Sequence, residues 1–228
     1  MIGRVLLAAL LAGIAAGLIM GVIQHVRLTP LILEAETFEK AGHSHDQAAA
    51  PAVEVEASAP ADGWQRSLAT TATAAMTGAA FALILAGISF IAGLPITRAN
   101  GILWGLCGFL AVTLAPSAGL PPELPGMAAD NLAGRQVWWF GTIAATGVGL
   151  YLIATRSESW AIAAAILLIG LPHMIGAPIA GAEHSAVPAH LAASFVANAI
   201  AANAIFWALI GMFLGLVLPR YAPDAQNP

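Results

Sequence analysis

Long apolar runs separated by short polar segments dominate this chain. Six of the runs reach the roughly 20 residues of helix that cross a hydrocarbon core of about 30 Å. In chain order they cover residues 5–26, 68–94, 101–120, 137–155, 160–180 and 191–218. The third is the weakest because it ends in Pro and Gly. The pattern predicts an all-α fold, a polytopic transmembrane helix bundle of about six spans.

The first apolar run follows Arg4 and has some features of a secretory signal peptide. Its apolar stretch is longer than the 7 to 15 residues typical of a signal, and no small-residue cleavage pattern precedes Arg27. We therefore expect a permanent membrane helix. In this interpretation residues 1–228 form a single membrane domain with one long polar extramembrane loop at residues 27–66.

A weak internal repeat accompanies the runs. The first and fifth runs end in HVRLTP (residues 25–30) and HMIGAP (residues 173–178), each with a histidine followed by four residues and a proline. Internal repeats of this kind are typical of structures built from stacked helical units. The repeat therefore leaves open an architecture of three stacked helical hairpins.

The composition agrees with a membrane protein, since 59% of the residues are hydrophobic and 9% are charged, against about 25% charged in soluble domains. Cys107 is the only cysteine, which excludes an intramolecular disulfide and a Cys-rich metal centre. No GxxxxGK(S/T), HExxH or GxSxG motif occurs, so nothing predicts an enzyme or a permanently bound cofactor. A net charge of −4 gives no support to a nucleic-acid partner and favours a cation.

Basic residues in the short loops indicate how the chain is oriented in the membrane. With a cytoplasmic N-terminus, the inner side carries four arginines and the short outer loops carry one. The four are Arg4, Arg98, Arg156 and Arg220, and the one is Arg135. We therefore predict that both termini are cytoplasmic. The loop 27–66 and the shorter segments 120–136 and 181–190 then lie outside, and all six histidines lie at or near that side.

The long polar loop carries the sequence HSHD at residues 43–46. His43, His45 and Asp46 supply nitrogen and oxygen ligands that suit Co, Ni, Zn or Cu more than Mg or Ca. A flexible cluster of this kind would capture a metal ion weakly and release it readily. The alternative is an ordinary solvated loop, because short His-rich tracts are only a compositional indication. Residues 48–62, rich in Ala, Pro and acids, predict that this loop is partly disordered.

His25 is a candidate ligand at the end of the first run. It continues the ridge of Gly13, Gly17 and Gly21, whose four-residue spacing lets two helix backbones approach closely. An ionisable side chain on such a packing face points into protein and is a functional candidate by default. The alternative is a histidine that caps the helix by a hydrogen bond to a neighbouring carbonyl group.

His173 lies in the sequence LPHMIGAP of the fifth run. Pro172 and Pro178 each remove a backbone hydrogen bond, so the helix around His173 is predicted to be kinked or unwound. Broken helices at membrane depth are covered by protein or line polar cavities, and transporters use them as substrate sites. His173 is therefore the leading candidate for a site inside the membrane, with a hydrogen-bonded kink histidine as the alternative.

Neutral polar side chains recur at helical spacing in two other runs. His190, Ser194 and Asn198 form one ridge of i+4 neighbours, and Thr73 and Thr77 form another. Such side chains either line a path through the membrane or hold helices together by hydrogen bonds.

Five motifs follow one another along the chain: GLPPELPG, RQVWW, LPHMIGAP, VPAHLAASF and ANAIFWALIGMFLG. Together they resemble the CbtA family of predicted cobalt transporter subunits in bacteria. The resemblance implies an inner-membrane protein that takes up cobalt for cobalamin synthesis beside a small single-span, histidine-bearing subunit, CbtB. It also implies five spans, one fewer than the apolar runs predict. The matching motifs contain Glu123, Arg135, His173 and His190.

Together the residues and the resemblance predict a membrane permease subunit for divalent transition-metal uptake, with Co²⁺ transported and with lipid and a CbtB-like subunit as partners. The sequence is also compatible with a homo-oligomer. The expected metal ligands are His25, His43, His45, Asp46, Glu123, His173, Glu183, His184 and His190. The expected path-lining residues are Thr73, Thr77, Ser194 and Asn198, and the expected helix-packing residues are Gly13, Gly17 and Gly21. The alternatives are a haem-binding electron-transfer subunit, with His25 and His173 as axial ligands, and an assembly subunit without transport.

Overall fold

The computed structural model describes residues 2–46, 63–127, 131–178 and 187–221, and for residues 40–46 it describes the backbone alone. Regular structure in these ranges is entirely helical, which confirms the predicted all-α fold. Within the same ranges, four helices are long and apolar enough to cross a membrane, and two are shorter. The four are Ile2–Glu39, Gly63–Ala92, Leu132–Thr155 and Ala189–Arg220, and the two are Gly101–Ser117 and Ser159–Ile175.

The helices of the described ranges are labelled in chain order. The α-helices are α1 (Ile2–Ile23), α2 (Thr29–Asp46), α3 (Gly63–Ala92), α4 (Gly101–Phe109), α5 (Ala115–Ser117), α6 (Leu132–Thr155), α7 (Ser159–Ile175) and α8 (Ala189–Val217). Two π-helical segments, Gln24–Leu28 and Leu110–Leu114, join α1 to α2 and α4 to α5. A 3-10 turn, Leu218–Arg220, extends α8. Each π-helical segment therefore continues the preceding α-helix without a break in helical structure.

Large apolar side chains cover the outside of the bundle. On α3, Met76 is 74% exposed and Phe90 and Ile91 are each 86% exposed. The buried positions of α1 are instead mostly small, such as Ala9, Ala12 and Ala16. Close packing of small residues inside and bulky apolar groups outside is the arrangement of helices that face lipid. The protein is a helical membrane protein, as the hydropathy pattern predicts.

The most extensive helix contacts are those of α1 with α3, of α4 with α8, and of α6 with α7, and α1 also packs against α8. The suggested stack of three consecutive hairpins is therefore wrong, because α4 pairs mainly with α8 and not with α6. Glycines at the interface explain why α4 packs against α8. A Cβ on Gly101 or Gly105 would collide with backbone of α8, and a Cβ on Gly211 would collide with backbone of α4. These backbones approach closely only because no side chains intervene.

A second glycine contact joins α1 to α3. A Cβ on Gly13 would collide with the carbonyl oxygen of Gly78, and a Cβ on Gly17 would collide with the backbone at Ala74. Gly21 faces Thr71, whose methyl and hydroxyl groups lie 2.9 Å from the position that a Cβ on Gly21 would take. The glycine ridge of α1 thus brings the polar face of α3 against the end of α1.

The first helix continues beyond its predicted end. The polar loop is predicted to begin at residue 27, whereas the helix continues through the π-helical segment into α2 as far as Asp46. Tertiary packing accounts for the difference, since Ala35 is fully buried, Leu28 is 7% exposed, and Phe38 packs against the same core. These contacts outweigh the polar composition of α2. The linker at residues 47–62 lies outside the described residues.

Candidate functional site

A polar cavity of about 380 Å³ opens between α1, α3 and α8. Five polar and five apolar residues of the described ranges line it. The polar ones are Gln24, Thr70, Thr73, Thr77 and Asn203, and the apolar ones are Met20, Ala69, Ala74, Phe81 and Phe206. A water molecule occupies about 30 Å³ in the liquid, so this volume corresponds to roughly a dozen waters. A space of this size and polarity is suited to a hydrated solute.

The π-helical segment brings Gln24 to the cavity wall. The backbone N–H of Thr29 donates to the Gln24 carbonyl oxygen, and the Thr29 hydroxyl donates to the same oxygen at 3.2 Å. Single π-helical turns inside α-helices frequently mark functional sites. Gln24 Oε1 is buried and has no hydrogen-bond partner among the described residues. An unsatisfied buried oxygen costs about 1–3 kcal/mol, so a ligand or water that donates to it would be stabilised.

The hydroxyl and amide groups on the other two helices direct acceptor oxygens to the cavity. Thr77 Oγ1 donates to the Thr73 carbonyl oxygen at 2.8 Å, and Asn203 Nδ2 donates to the Ala199 carbonyl oxygen at 3.0 Å. These hydrogen bonds use the hydroxyl proton of Thr77 and one N–H group of the Asn203 amide. The lone pairs of Thr77 Oγ1 and Asn203 Oδ1 are left to accept. The wall is therefore neutral and offers acceptor oxygens beside amide and hydroxyl donors.

The cavity reaches far into the bundle. Thr77 and Asn203 each lie about 21 Å along the helix axis from the first residue of α3 or α8, at 1.5 Å per residue. Thr70 lies two turns nearer to the start of α3, and Gln24 lies directly after α1. Against a hydrocarbon core of about 30 Å, the far end of the cavity is at membrane depth.

His25 follows Gln24 at the end of the cavity nearer the start of α3, which we call its mouth. Its Nδ1 is 3.1 Å from Ser67 Oγ, and the same hydroxyl lies 2.9 Å from the Gly63 carbonyl oxygen as a donor. The one hydroxyl proton can go to the carbonyl oxygen or to Nδ1. Where the carbonyl oxygen accepts it, Nδ1 donates to Ser67 and Nε2 carries the lone pair. His25 is exposed, so this nitrogen can bind a metal ion.

An ion pair ties α2 to α3 next to this histidine. Arg66 Nη2 contacts Glu36 Oε1, and Arg66 Nη1 lies 3.5 Å from Glu36 Oε2. The side chains are 37% and 21% exposed, so water screens the pair and its contribution to stability is small. Its effect is positional, because Arg66 directly precedes Ser67, the partner of His25.

The predicted ligands of the described ranges lie at one end of the bundle, which we call the histidine end. His25 follows α1, His173 is in the last turn of α7, and His190 is in the first turn of α8. Two contacts of the segment between α5 and α6 join these helix ends. Gly119 lies against Trp138 and Ala177, and Gly126 lies against Glu39 and Val187.

His173 is at the end of a helix instead of inside a broken one. The helix α7 continues through Pro172 and ends at Ile175, where Gly176 takes a positive φ of 88°. The prediction of an unwound segment around His173 is therefore wrong, because Pro172 falls in the last turn of the helix. Trp138 Nε1 donates to the Pro172 carbonyl oxygen at 3.0 Å, and the Trp138 ring meets the His173 ring edge to face at 5.8 Å.

Glu123 forms an ion pair with Arg135 at 2.7 Å, with side chains that are 25% and 14% exposed. This pair joins the segment after α5 to the first turn of α6. An arginine held this close neutralises the carboxylate. Glu123 therefore attracts a cation less strongly while the ion pair is closed.

The polar ridge of α8 lies outside the cavity wall. His190 and Ser194 are exposed, and Asn198 Nδ2 donates to the Ser194 carbonyl oxygen at 2.8 Å. Thr73 and Thr77, the corresponding pair on α3, both line the cavity. Of the four residues expected to line a path, the structure thus brings two to the same space.

Five of the predicted ligands have side chains that the structure does not describe. The side chains of His43, His45 and Asp46 lie outside the described residues, as do Glu183 and His184. In the described part of the chain, no three His, Cys, Asp or Glu side chains come together in a way that could hold a metal ion. The described ligands therefore form no cluster of three or more.

Sequence analysis missed Gln24 and Asn203. Gln24 is next to His25, but only the π-helical segment turns it to the cavity. Asn203 is rotated away from the ridge of His190 and Asn198, and that rotation carries it to the opposite side, where Thr73 and Thr77 lie. Two amides within otherwise apolar runs were the available signal.

Comparison with known proteins identifies the family. No curated protein and no solved structure matches the chain. A family model described as probable cobalt transporter subunit (CbtA) matches residues 2–219 of the 228, which confirms the resemblance seen in the sequence motifs. Because the match covers nearly the whole chain, the protein belongs to the CbtA family of probable cobalt transporter subunits.

Proposed function

We propose that this protein is the permease subunit of a cobalt uptake system and that the cavity between α1, α3 and α8 is part of the path of Co²⁺. Membership of a family described as a probable cobalt transporter subunit supports the substrate. One observation supports the path above all. Gln24 Oε1 is a buried oxygen without a hydrogen-bond partner among the described residues, and its side chain lines a polar cavity whose far end is at membrane depth. Unpaired polar groups in a membrane are costly and mark ion and substrate pathways.

In this proposal the ion reaches the cavity from the histidine end. His25 is the first ligand, because it is exposed and lies in the π-helical segment directly after Gln24, a residue of the cavity wall. His173, His190 and, once Arg135 releases it, Glu123 offer further single contacts at that end. The loop residues His43, His45, Asp46, Glu183 and His184 are proposed to capture the ion from solution. Separate ligands bind weakly, and weak binding allows an ion to move on.

The surroundings follow from the arginine distribution and from the family. We place the protein in a bacterial inner membrane with both termini in the cytoplasm and the histidine end outside. A small single-span, histidine-bearing subunit of the CbtB type is the proposed partner. The protein is proposed to move the ion without catalysing a reaction and without a permanently bound cofactor, and the cobalt is proposed to supply cobalamin synthesis.

The test is cobalt accumulation in bacterial cells that lack their own uptake route. The cells express this chain alone, the chain with its small partner, or the same pair with His25→Ala or without residues 43–46. We expect accumulation to require the chain, and both variants to reduce it mainly at limiting cobalt because they weaken capture. The matched control is Gln136→Ala, an exposed position on α6. Absence of uptake in every combination contradicts the proposal.

A further inference from the structure

We infer that the cavity holds the cation together with its shell of water molecules, so that the wall contacts coordinated waters and not the metal. This inference rests on the proposed function, since it concerns the form in which the same ion occupies the same space. It assigns the cavity residues a role in outer-sphere binding and leaves direct coordination to the imidazole at the mouth.

The size of the cavity fits a hydrated cation. A shell of six waters takes about 180 Å³ at about 30 Å³ per water, and the cavity has about 380 Å³. The hydrated ion therefore fits, with room for about six further waters.

The chemistry of the wall points the same way. None of the described lining residues is a His, Cys, Asp or Glu, the side chains that replace water on first-row transition metals. The wall instead offers Gln24 Oε1, the hydroxyls of Thr73 and Thr77, and Asn203 Oδ1. Waters bound to a divalent cation are strong hydrogen-bond donors, so neutral acceptor oxygens are their natural partners.

Retention of the shell also suits the membrane environment. Moving a bare charge from water into an apolar interior is very costly, and a water shell carried along reduces that cost. Contacts through water remain weak enough for release. Because hydrated divalent cations are alike in size and donor character, the cavity would accept several of them. His25 at the mouth then discriminates among metals, because its nitrogen can replace a water in the coordination shell.

Cobalt(III) hexaammine provides the test. It resembles a hydrated metal cation in size and in its outward N–H donors, but its ligands do not exchange, so it can occupy an outer-sphere site only. Uptake of Co²⁺ is measured in the cells described above at increasing concentrations of this complex. We expect competitive inhibition of the wild type. In Gln24→Leu the half-inhibiting concentration should rise about tenfold, the effect of one lost hydrogen bond to a charged group, whereas Gln136→Leu should not change it.

Uptake that hexaammine does not inhibit, or equal inhibition of the wild type and Gln24→Leu, overturns the inference while the proposed function stands. Equal inhibition would place the complex outside the cavity. If Gln24→Leu does not reach the membrane, Thr73→Val replaces it, because valine keeps the shape of threonine and removes the acceptor. Failure of the wild type and its partner to accumulate cobalt contradicts the proposed function, and the inference then falls with it.

Discussion

Replacement of Gly13 by alanine tests the contact that forms the cavity between α1 and α3. A Cβ at residue 13 would meet the carbonyl oxygen of Gly78 and the Cα of Ala79, which move only if the whole helix moves. Overpacking a tight contact costs about 1–3 kcal/mol. A clash with backbone belongs at the upper end of that range because no side chain can rotate away. We expect Gly13→Ala to lower the free energy of unfolding by about 2–3 kcal/mol.

Two other glycines provide matched comparisons on the same pair of helices. A Cβ on Gly21 would lie 2.9 Å from the Thr71 side chain, which can rotate, so we expect a net loss of about 1 kcal/mol after the helix preference of alanine is included. Gly87 has open space around it. Alanine favours the helix over glycine by about 1 kcal/mol, so Gly87→Ala should leave the protein as stable as the wild type or more stable.

Unfolding in mixtures of a mild detergent and sodium dodecyl sulfate, followed by tryptophan fluorescence, measures these differences. The expected order of stability is Gly87→Ala, wild type, Gly21→Ala and Gly13→Ala. Gly13→Ala should also lower cobalt uptake, because separation of the helices moves Gln24 away from Thr73. Equal stability of Gly13→Ala and Gly87→Ala would refute the packing of α1 against α3 at Gly78.

Three further outcomes are expected. Trp138→Phe removes the donor to the Pro172 carbonyl oxygen, which still accepts from Gly176, so detergent unfolding should show a loss of about 1 kcal/mol. A double-mutant cycle with Glu36→Gln and Arg66→Gln should give a coupling energy below about 1 kcal/mol that falls with added salt, because the pair is partly exposed. Purified protein should show no Soret band; such a band would favour the haem hypothesis, in which His25 and His173 are axial ligands.

The helical fold and the family could be predicted from the sequence because both depend on local information. Apolar runs of membrane length specify helices whatever surrounds them, and all six predicted runs correspond to helices in the structure. The pairing of these helices depends on which small faces meet. Gly211 and Gly101 lie far apart in the chain, and only their contact in the bundle shows why α4 packs against α8.

The candidate site was predictable only in part. The spacing of Thr73 and Thr77 indicated a polar face on one helix, and these residues do line the cavity. The position of Gln24 depends on a π-helical turn, which has no clear sequence signature, and that of Asn203 depends on the rotation of α8 against α3. Tertiary contacts also decide where helices end. Buried Ala35 extends α2 into a polar segment, and termination of α7 at Gly176 places His173 at a helix end.

The most direct test of the central claim is the access of water to the cavity. Cys107 is replaced by serine, and single cysteines are then introduced at Thr73, which lines the cavity, and at Met76, which is 74% exposed on the outside of the same helix. A charged, water-soluble thiol reagent is applied to membranes, and the labelling rates are compared. We predict that Thr73→Cys reacts at least about tenfold faster than Met76→Cys, because a thiol reacts as the thiolate and needs water around it. Labelling of Thr73→Cys no faster than Met76→Cys would contradict a hydrated ion path between α1, α3 and α8.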